Sequence, residues 1–362
     1  MNYQVRQQKL ATRLRSLGVD GLLVTHLPNI HYLCGFTGTA GVLLFMPSER
    51  APRIIFFTDG RYTQQAAEQV KGARVVIARS PALVAACEHM QKLKLERVAV
   101  ESEHLSYAAY KQVSGLTGGK TRLKSTAGVV EELRAIKDAD EIEQIRASVL
   151  LASSLFQTAL STIRPGVTEN LVAGELELRA RRAGAEKMSF DTIVGAGSRS
   201  ALPHGRASDQ PIPAAGFIIL DYGVILAGYC SDMTRTVYVG RASRLHRKMY
   251  DAVREAQLAS IEAVRPGVAA GDVDKAGRGL LKKAGYGAYF THSTGHGVGI
   301  EVHEAPRLAK GQTQKLVPGM VVTIEPGIYI EGEGGVRIED MVLVTDSGHE
   351  VLTPTTKDLI EL

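Results

Sequence analysis

IRPGVTENLVAGELELRARRAGA, residues 163–185, decides how the larger part of this chain folds, because it returns in altered form as VRPGVAAGDVDKAGRGLLKKAGY at 264–286. Pro165, Gly166 and Gly184 recur at Pro266, Gly267 and Gly285 in the same order and spacing. In both copies a Pro-Gly turn opens an apolar-faced helix that stops at Ala-Gly, as a helix does when its last turn closes on a left-handed glycine. A strand-rich segment carrying acidic residues follows each copy. Two similar halves predict one pseudo-symmetric domain, with a cleft on the pseudo-twofold axis where side chains from both halves meet.

The segment after the first copy contains FIILDYGVILAGYCSDMTRTVYVG (217–240), two β-patterned runs about an Ala227-Gly228 turn. Folding one run onto the other sets Asp221 opposite Asp232, with both carboxylates on one sheet face. After the second copy, VVTIEPGIYIEGEGGVRIEDMVLV (321–344) folds about a Gly-rich turn and pairs Glu325 with Glu339. An acid on a strand ordinarily faces solvent. These interrupt apolar runs instead: Asp221 follows FIIL, Glu325 follows VVTI and Glu339 follows VRI. Buried, unpaired charge is costly, and a shared pair of cations neutralises it. His296, set between glycines in THSTGHGVGIEVHEAP (291–306), adds a nitrogen donor. One imidazole with carboxylates suits two divalent metal ions, Mn²⁺ first, with Co²⁺, Zn²⁺ or Fe²⁺ as competitors.

The rest of the chain frames this centre. Its 362 residues, 44% hydrophobic, give room for two domains. Residues 1–135 alternate apolar runs such as DGLLVTH, GVLLFM and RIIFFTD with helical stretches, which predicts an α/β domain; 136–362 hold the repeat and its acids. The net charge of +5 is dispersed along the chain, which argues against nucleic acid as a partner. No apolar run approaches the roughly 18 residues of a membrane span, and the first positions lack the apolar centre of a secretory signal. A cytoplasmic location without membrane association is therefore expected. The cysteines, Cys34, Cys87 and Cys230, are odd in number and lack paired spacing, which argues against a disulfide framework and a thiolate zinc site. GHGVG lacks the spacing of dinucleotide and phosphate loops.

LDYG (220–223), CSDMTRT (230–236), GHGVGIEVHE (295–304), TIEPGIYI (323–330) and GGVRIEDMVLV (334–344) together resemble the prolidase and aminopeptidase P branch of the creatinase-like "pita-bread" metallopeptidases. YLCGFTGTAG (32–41) and TDGRYTQQA (58–66) resemble the amino-terminal domain of that branch, so the likeness spans nearly the whole chain. The resemblance implies a creatinase-like α/β N-terminal domain followed by an α+β pita-bread catalytic domain. It implies hydrolysis of Xaa–Pro bonds, with dipeptides favoured over the amino termini of longer peptides, and a homodimer. It also implies that Asp221 binds one metal, that Asp232 and Glu339 bridge both, and that His296 and Glu325 complete the ligand set of the second metal. Glu325 is the expected proton shuttle.

By the same resemblance His303, in GHGVGIEVHE, would stabilise charge on the scissile carbonyl oxygen. His204, in GAGSRSALPHGRAS (195–208), resembles the histidine that contacts the scissile amide. His292 either donates to a ligand or substrate carboxylate or simply holds its own loop. Arg307, in HEAPRLAKG, resembles an arginine near the substrate's carboxyl end. Arg337, two residues before Glu339, shares its strand face and is expected to orient the metal-binding carboxylates. Two rival readings, an inactive pita-bread binding module and a metal-free creatinase-type amidinohydrolase, sit badly with a full set of metal-binding residues.

Overall fold

A computed structural model describes all residues, Met1–Leu362, which form two compact units, Met1–Arg134 and Ala135–Leu362. In the first, strands β1 (Gly21–Val24), β2 (Val42–Met46), β3 (Arg53–Thr58), β4 (Arg74–Ile77), β5 (Arg97–Glu101) and β6 (Arg122–Thr126) make one sheet in the order β4-β3-β2-β1-β5-β6. The pairs β1–β2 and β2–β3 are antiparallel, the other three parallel. Every residue of β1 and β2 is buried, which is why both read as unbroken apolar runs. The helix Ala82–Lys92 sets Ala86 and Met90 among Leu44, Ile55, Phe57 and Val98.

The second unit realises the repeat. Its helices come in pairs, Ala139–Thr162 with Glu169–Arg182 and Arg244–Glu262 with Ala270–Lys283. Asp138 opens the first through a capping box with Glu141. The Pro-Gly turns and Ala-Gly stops put glycines at matching left-handed positions, φ 85° and 82° at Gly166 and Gly267 and 98° and 88° at Gly184 and Gly285. Each helix pair packs on a sheet: Leu155, Phe156 and Leu176 meet Val194, Ile218, Leu220 and Val237 in one half, and Ile261 and Val273 meet Val322, Ile324 and Val342 in the other.

The strands of this unit are β7 (Lys187–Met188), β8 (Ile193–Ala196), β9 (Gly216–Tyr222), β10 (Val224–Leu226), β11 (Tyr229–Cys230), β12 (Met233–Val239), β13 (Gly295–Gly297), β14 (Glu304–Leu308), β15 (Val321–Ile324), β16 (Gly327–Ile330), β17 (Gly334–Arg337), β18 (Asp340–Val344) and β19 (His349–Val351). They form sheets in the orders β12-β9-β8, β14-β13-β15-β18-β19, β11-β10-β7 and β16-β17.

The first acidic hairpin differs in register from the sequence expectation. Asp221 faces Thr234, and Asp232 lies just ahead of β12. Ala227 and Gly228, at φ 50° and 78°, make a two-residue turn with both residues left-handed, and that turn sets the register two residues away from a direct Asp221–Asp232 pair. An even shift preserves the sheet face, so the two carboxylates still converge as diagonal neighbours. The second hairpin has the expected register. Ile324 faces Asp340 and Gly327 faces Arg337, which leaves Glu325 and Glu339 opposed between the two paired stretches.

Close backbone packing supports both. A Cβ on Gly223 would stand 1.8 Å from the Ser231 carbonyl oxygen, and one on Gly295 would stand 1.9 Å from that of Thr323. Neither position can hold a side chain without moving main chain.

Candidate metal centre

A cavity of about 680 Å³ opens in the second unit, and Asp221, Asp232, His296, Glu325, Glu339, His204, His292, His303, Arg307 and Arg337 all line it. β9 supplies Asp221, the residue ahead of β12 is Asp232, and β13 supplies His296. Glu325 and Glu339 come from the links β15–β16 and β17–β18. The donor atoms of Asp232, His296 and Glu339 lie within 4.8 Å of one another. His296 Nε2 is 3.7 Å from Asp232 Oδ2 and 3.6 Å from Glu325 Oε1.

Two details show that these donors fit a cation. Asp221 Oδ2 accepts from Arg337 Nη2 at 2.6 Å, whereas Oδ1 is buried without a hydrogen-bond partner. A buried orphan acceptor is destabilising unless something positive takes it. His296 donates from Nδ1 to the Gly297 carbonyl at 3.0 Å, and burial lowers its pKa to about 4, so the ring is neutral at pH 7 with the Nε2 lone pair turned toward the acids. Carboxylate oxygens with one imidazole nitrogen match the donor preference of divalent first-row metals.

Arg337 joins the halves of the site. Its Nε donates to Thr234 Oγ1 (3.2 Å) and its Nη1 to Tyr329 Oη (2.6 Å) and the Pro203 carbonyl (3.0 Å), while Thr234 Oγ1 donates to Glu339 Oε2 (2.7 Å). Tyr329 in turn donates to His292 Nε2 at 2.9 Å, and His292 Nδ1 donates to the Ser293 carbonyl at 2.8 Å. Both ring nitrogens of His292 are thus engaged within the protein, which favours its loop-holding reading. His303 and His204 are exposed to the cleft; the His303 and His296 rings are 4.4 Å apart. Burial, then the neighbouring His204, lowers the His303 pKa. Arg307 is exposed on β14, the cross-strand neighbour of His296. Thr234 and Tyr329 escaped sequence reasoning, although Thr234 lies two residues from Asp232, on the same strand face.

Burial, followed by neighbouring carboxylates, raises the pKa of Asp232 and Glu339, and burial raises Glu325 to about 8. Between the ordinary value near 4.5 and about 8 the folded, metal-free site therefore holds protons that the unfolded chain has released. Stability contributed by these protonated acids is present below the lower limit and lost as pH rises through the upper. Chelator-treated protein is expected to show a melting temperature that falls from pH 5 to pH 9, and a divalent cation is expected to restore it most at the alkaline end. A flat profile in thermal unfolding would contradict the arrangement.

Residues 143–346 match metallopeptidase family M24, whose members use divalent metals, and residues 6–136 match the creatinase/prolidase N-terminal domain. The Xaa-Pro dipeptidase of Pyrococcus furiosus is 36% identical over 355 residues, covering 98% of this chain and 99% of that protein. A solved Xaa-Pro dipeptidase from Bacillus anthracis aligns at a TM-score of 0.95 with 41% identity, covering 100% of both chains. The X-Pro aminopeptidase of Thermotoga maritima aligns at 0.88 with 33% identity over 97% of this chain and 100% of its own. The repeated half is accordingly a pita-bread domain behind a creatinase-type amino-terminal domain, and the chain belongs to metallopeptidase family M24, in the branch of prolidases and X-Pro aminopeptidases.

Proposed function

We propose that this chain hydrolyses the bond between an N-terminal residue and proline, with dipeptides as its principal substrates. The observation that carries the reading is the convergence of the carboxylates and His296 in one cavity, with Asp221 Oδ1 buried and unpartnered. The names of the relatives point the same way. Asp221 would hold one cation, Asp232 and Glu339 both, and His296 and Glu325 the second. Mn²⁺ suits a site so rich in oxygen, with Co²⁺, Zn²⁺ and Fe²⁺ as competitors. Such a pair supplies Lewis acidity at the scissile carbonyl and acidifies water near neutral pH.

The chain's own groups do the rest. Glu325 takes a proton from water at its carboxylate and returns it toward the leaving nitrogen. His303 donates to the carbonyl oxygen as charge develops there. His204 meets the scissile amide, which in an Xaa–Pro bond has no N–H to offer. Phe190, Ile193 and Val302 give the cavity an apolar wall for the proline ring. Arg307, exposed beside His296, offers a bidentate fork to the carboxylate of a dipeptide. Exposure at His204, Arg206 and Arg307 also supports a second reading, an X-Pro aminopeptidase with an open channel. Three free, buried cysteines suit a reducing, cytoplasmic setting, and the homodimer rests on family resemblance.

Chelator-stripped protein with Mn²⁺ restored is expected to release proline from Ala-Pro faster than alanine from Ala-Pro-Ala, and to do neither without metal. Faster cleavage of the tripeptide would establish the aminopeptidase. Failure on both, with metal content verified, would reject the Xaa–Pro reading and bring forward a binding module.

A further inference from the structure

His204 is exposed, and no hydrogen bond from the protein reaches its ring, so its place in the cleft depends on the path of its backbone. That backbone, between Leu202 and Gln210, is neither helix nor strand. It is held at carbonyls on each side of the histidine. Arg337 Nη1 donates to the Pro203 carbonyl at 3.0 Å, and Arg199 Nη2 donates to the Arg206 carbonyl at 2.8 Å.

Arg199 is itself fixed by Glu169, its Nε lying 3.1 and 3.0 Å from the two carboxylate oxygens. Glu169 is 0% exposed, and its carboxylate also accepts from Ala196 N (2.9 Å), Ser208 N (3.1 Å) and Ser208 Oγ (2.6 Å). One buried carboxylate thus grips the chain on both sides of the loop. The helix it sits on does not require it, because Thr168 Oγ1 already caps that helix by accepting from Leu171 N. A buried charge is costly unless its hydrogen bonds are complete, and here they are spent on the loop.

We propose that Glu169 is a positioning residue for His204, acting through Arg199 to set where the imidazole meets the substrate. The proposal rests on the reading of His204 as the contact to the scissile amide. The other half of the domain contains the same device. Asp274, buried on the helix Ala270–Lys283, pairs with Arg278 at 2.8 Å, and Arg278 donates to the carbonyls of Phe290 (2.9 Å) and His292 (2.7 Å). Thr294 Oγ1 completes it with a 2.8 Å bond to Asp274 Oδ1. In each half a buried acid on the repeated helix works through an arginine to hold backbone beside a cleft histidine.

Glu169→Gln keeps the volume of the side chain and loses its charge. The variant is expected to lower kcat/KM on Ala-Pro by about 10–100-fold, the range found when a partner orienting an active-site group is removed. In a His204→Ala background the same substitution is expected to add no further loss, because both changes remove one function. Amide hydrogen exchange over residues 197–207 is expected to quicken in the variant, with the other loops unchanged. Additive kinetic losses, or unchanged exchange in the loop, would overturn the proposal. Should Glu169→Gln not fold, Arg199→Lys, which retains charge but cannot link Glu169 to the Arg206 carbonyl through two separate nitrogens, goes through the same cycle with the same criteria. If the wild type cuts no Xaa–Pro substrate the functional reading fails, while the exchange comparison still decides whether Glu169 sets the loop.

Discussion

Glu325→Gln is expected to lower kcat on Ala-Pro by about 10²–10⁴-fold, the span attributed to a positioned proton carrier. Glutamine matches glutamate in shape, and the 2.8 Å bond from Glu325 N to the Thr294 carbonyl anchors the backbone whatever the side chain. What is lost is the carboxylate oxygen that accepts and returns the proton. Metal content measured on the same sample separates the two roles: a slow variant with full metal has lost proton handling, and one with depleted metal has lost a ligand. Chelator-stripped protein offers a second readout of opposite sign. An acid with a raised folded pKa is destabilising once pH exceeds the unfolded value, so the stripped variant is expected to melt above the stripped wild type at pH 8. A fully loaded variant within a few-fold of wild-type kcat would remove Glu325 from the chemistry.

The second large effect lies behind the site. Asp340→Ala is expected to destabilise the second unit by about 3–5 kcal/mol, as when one member of a buried ion pair is removed. Asp340 is 0% exposed and accepts from Arg235 Nη2 at 2.7 Å, from Gln257 Nε2 at 2.8 Å and from Lys357 Nζ. Arg235, 1% exposed, also donates to the carbonyls of Thr234 (2.8 Å), Glu339 (2.6 Å), Thr355 (2.6 Å) and Thr356 (2.8 Å). It therefore ties the Asp232 strand, Glu339 and the carboxy-terminal segment into one knot. Alanine would leave its charge buried without a counter-ion. For a unit of this size the melting transition is expected to drop on the order of 10 °C by calorimetry, with a smaller drop for Asp340→Asn, which keeps an acceptor oxygen. A shift of under about 2 °C would show that the carbonyls alone satisfy Arg235.

The halves of this domain are legible from sequence because Pro-Gly and Ala-Gly mark backbone positions that few residues occupy, and those marks recur. The acids are legible because charge inside an apolar run demands a partner. The register of the first hairpin is legible from its turn but not from its acids: a two-residue turn at Ala227-Gly228 pairs Leu226 with Tyr229 and so Asp221 with Thr234, whereas matching the acids sets Asp232 opposite Asp221. Arg235 offers a signal of the kind used for the acids, a charge within the wholly buried strand MTRTVYV, yet its partners at 339, 340, 355 and 356 are distant in the chain. Glu169 has no such signal. Its place in the first turn of a helix reads as an ordinary response to the helix dipole, and only the folded loop reveals where its hydrogen bonds go. For His292, residue type alone left two roles open, and the 2.9 Å contact with Tyr329 fills the nitrogen that a ligand would need.

The glycines that neighbour Asp221 and His296 in the chain divide the enzyme's scope for change. At Gly223 and Gly295 even a methyl group would collide with a carbonyl oxygen, so the backbone next to Asp221 and His296 offers almost no room for variation by substitution. Asp191, Arg206 and Arg307 stand exposed at the mouth of the same cavity, where a new side chain meets water instead of main chain. A library aimed at new peptide preferences belongs at the mouth: there selectivity can drift through many variants while the reactive machinery below is inherited intact.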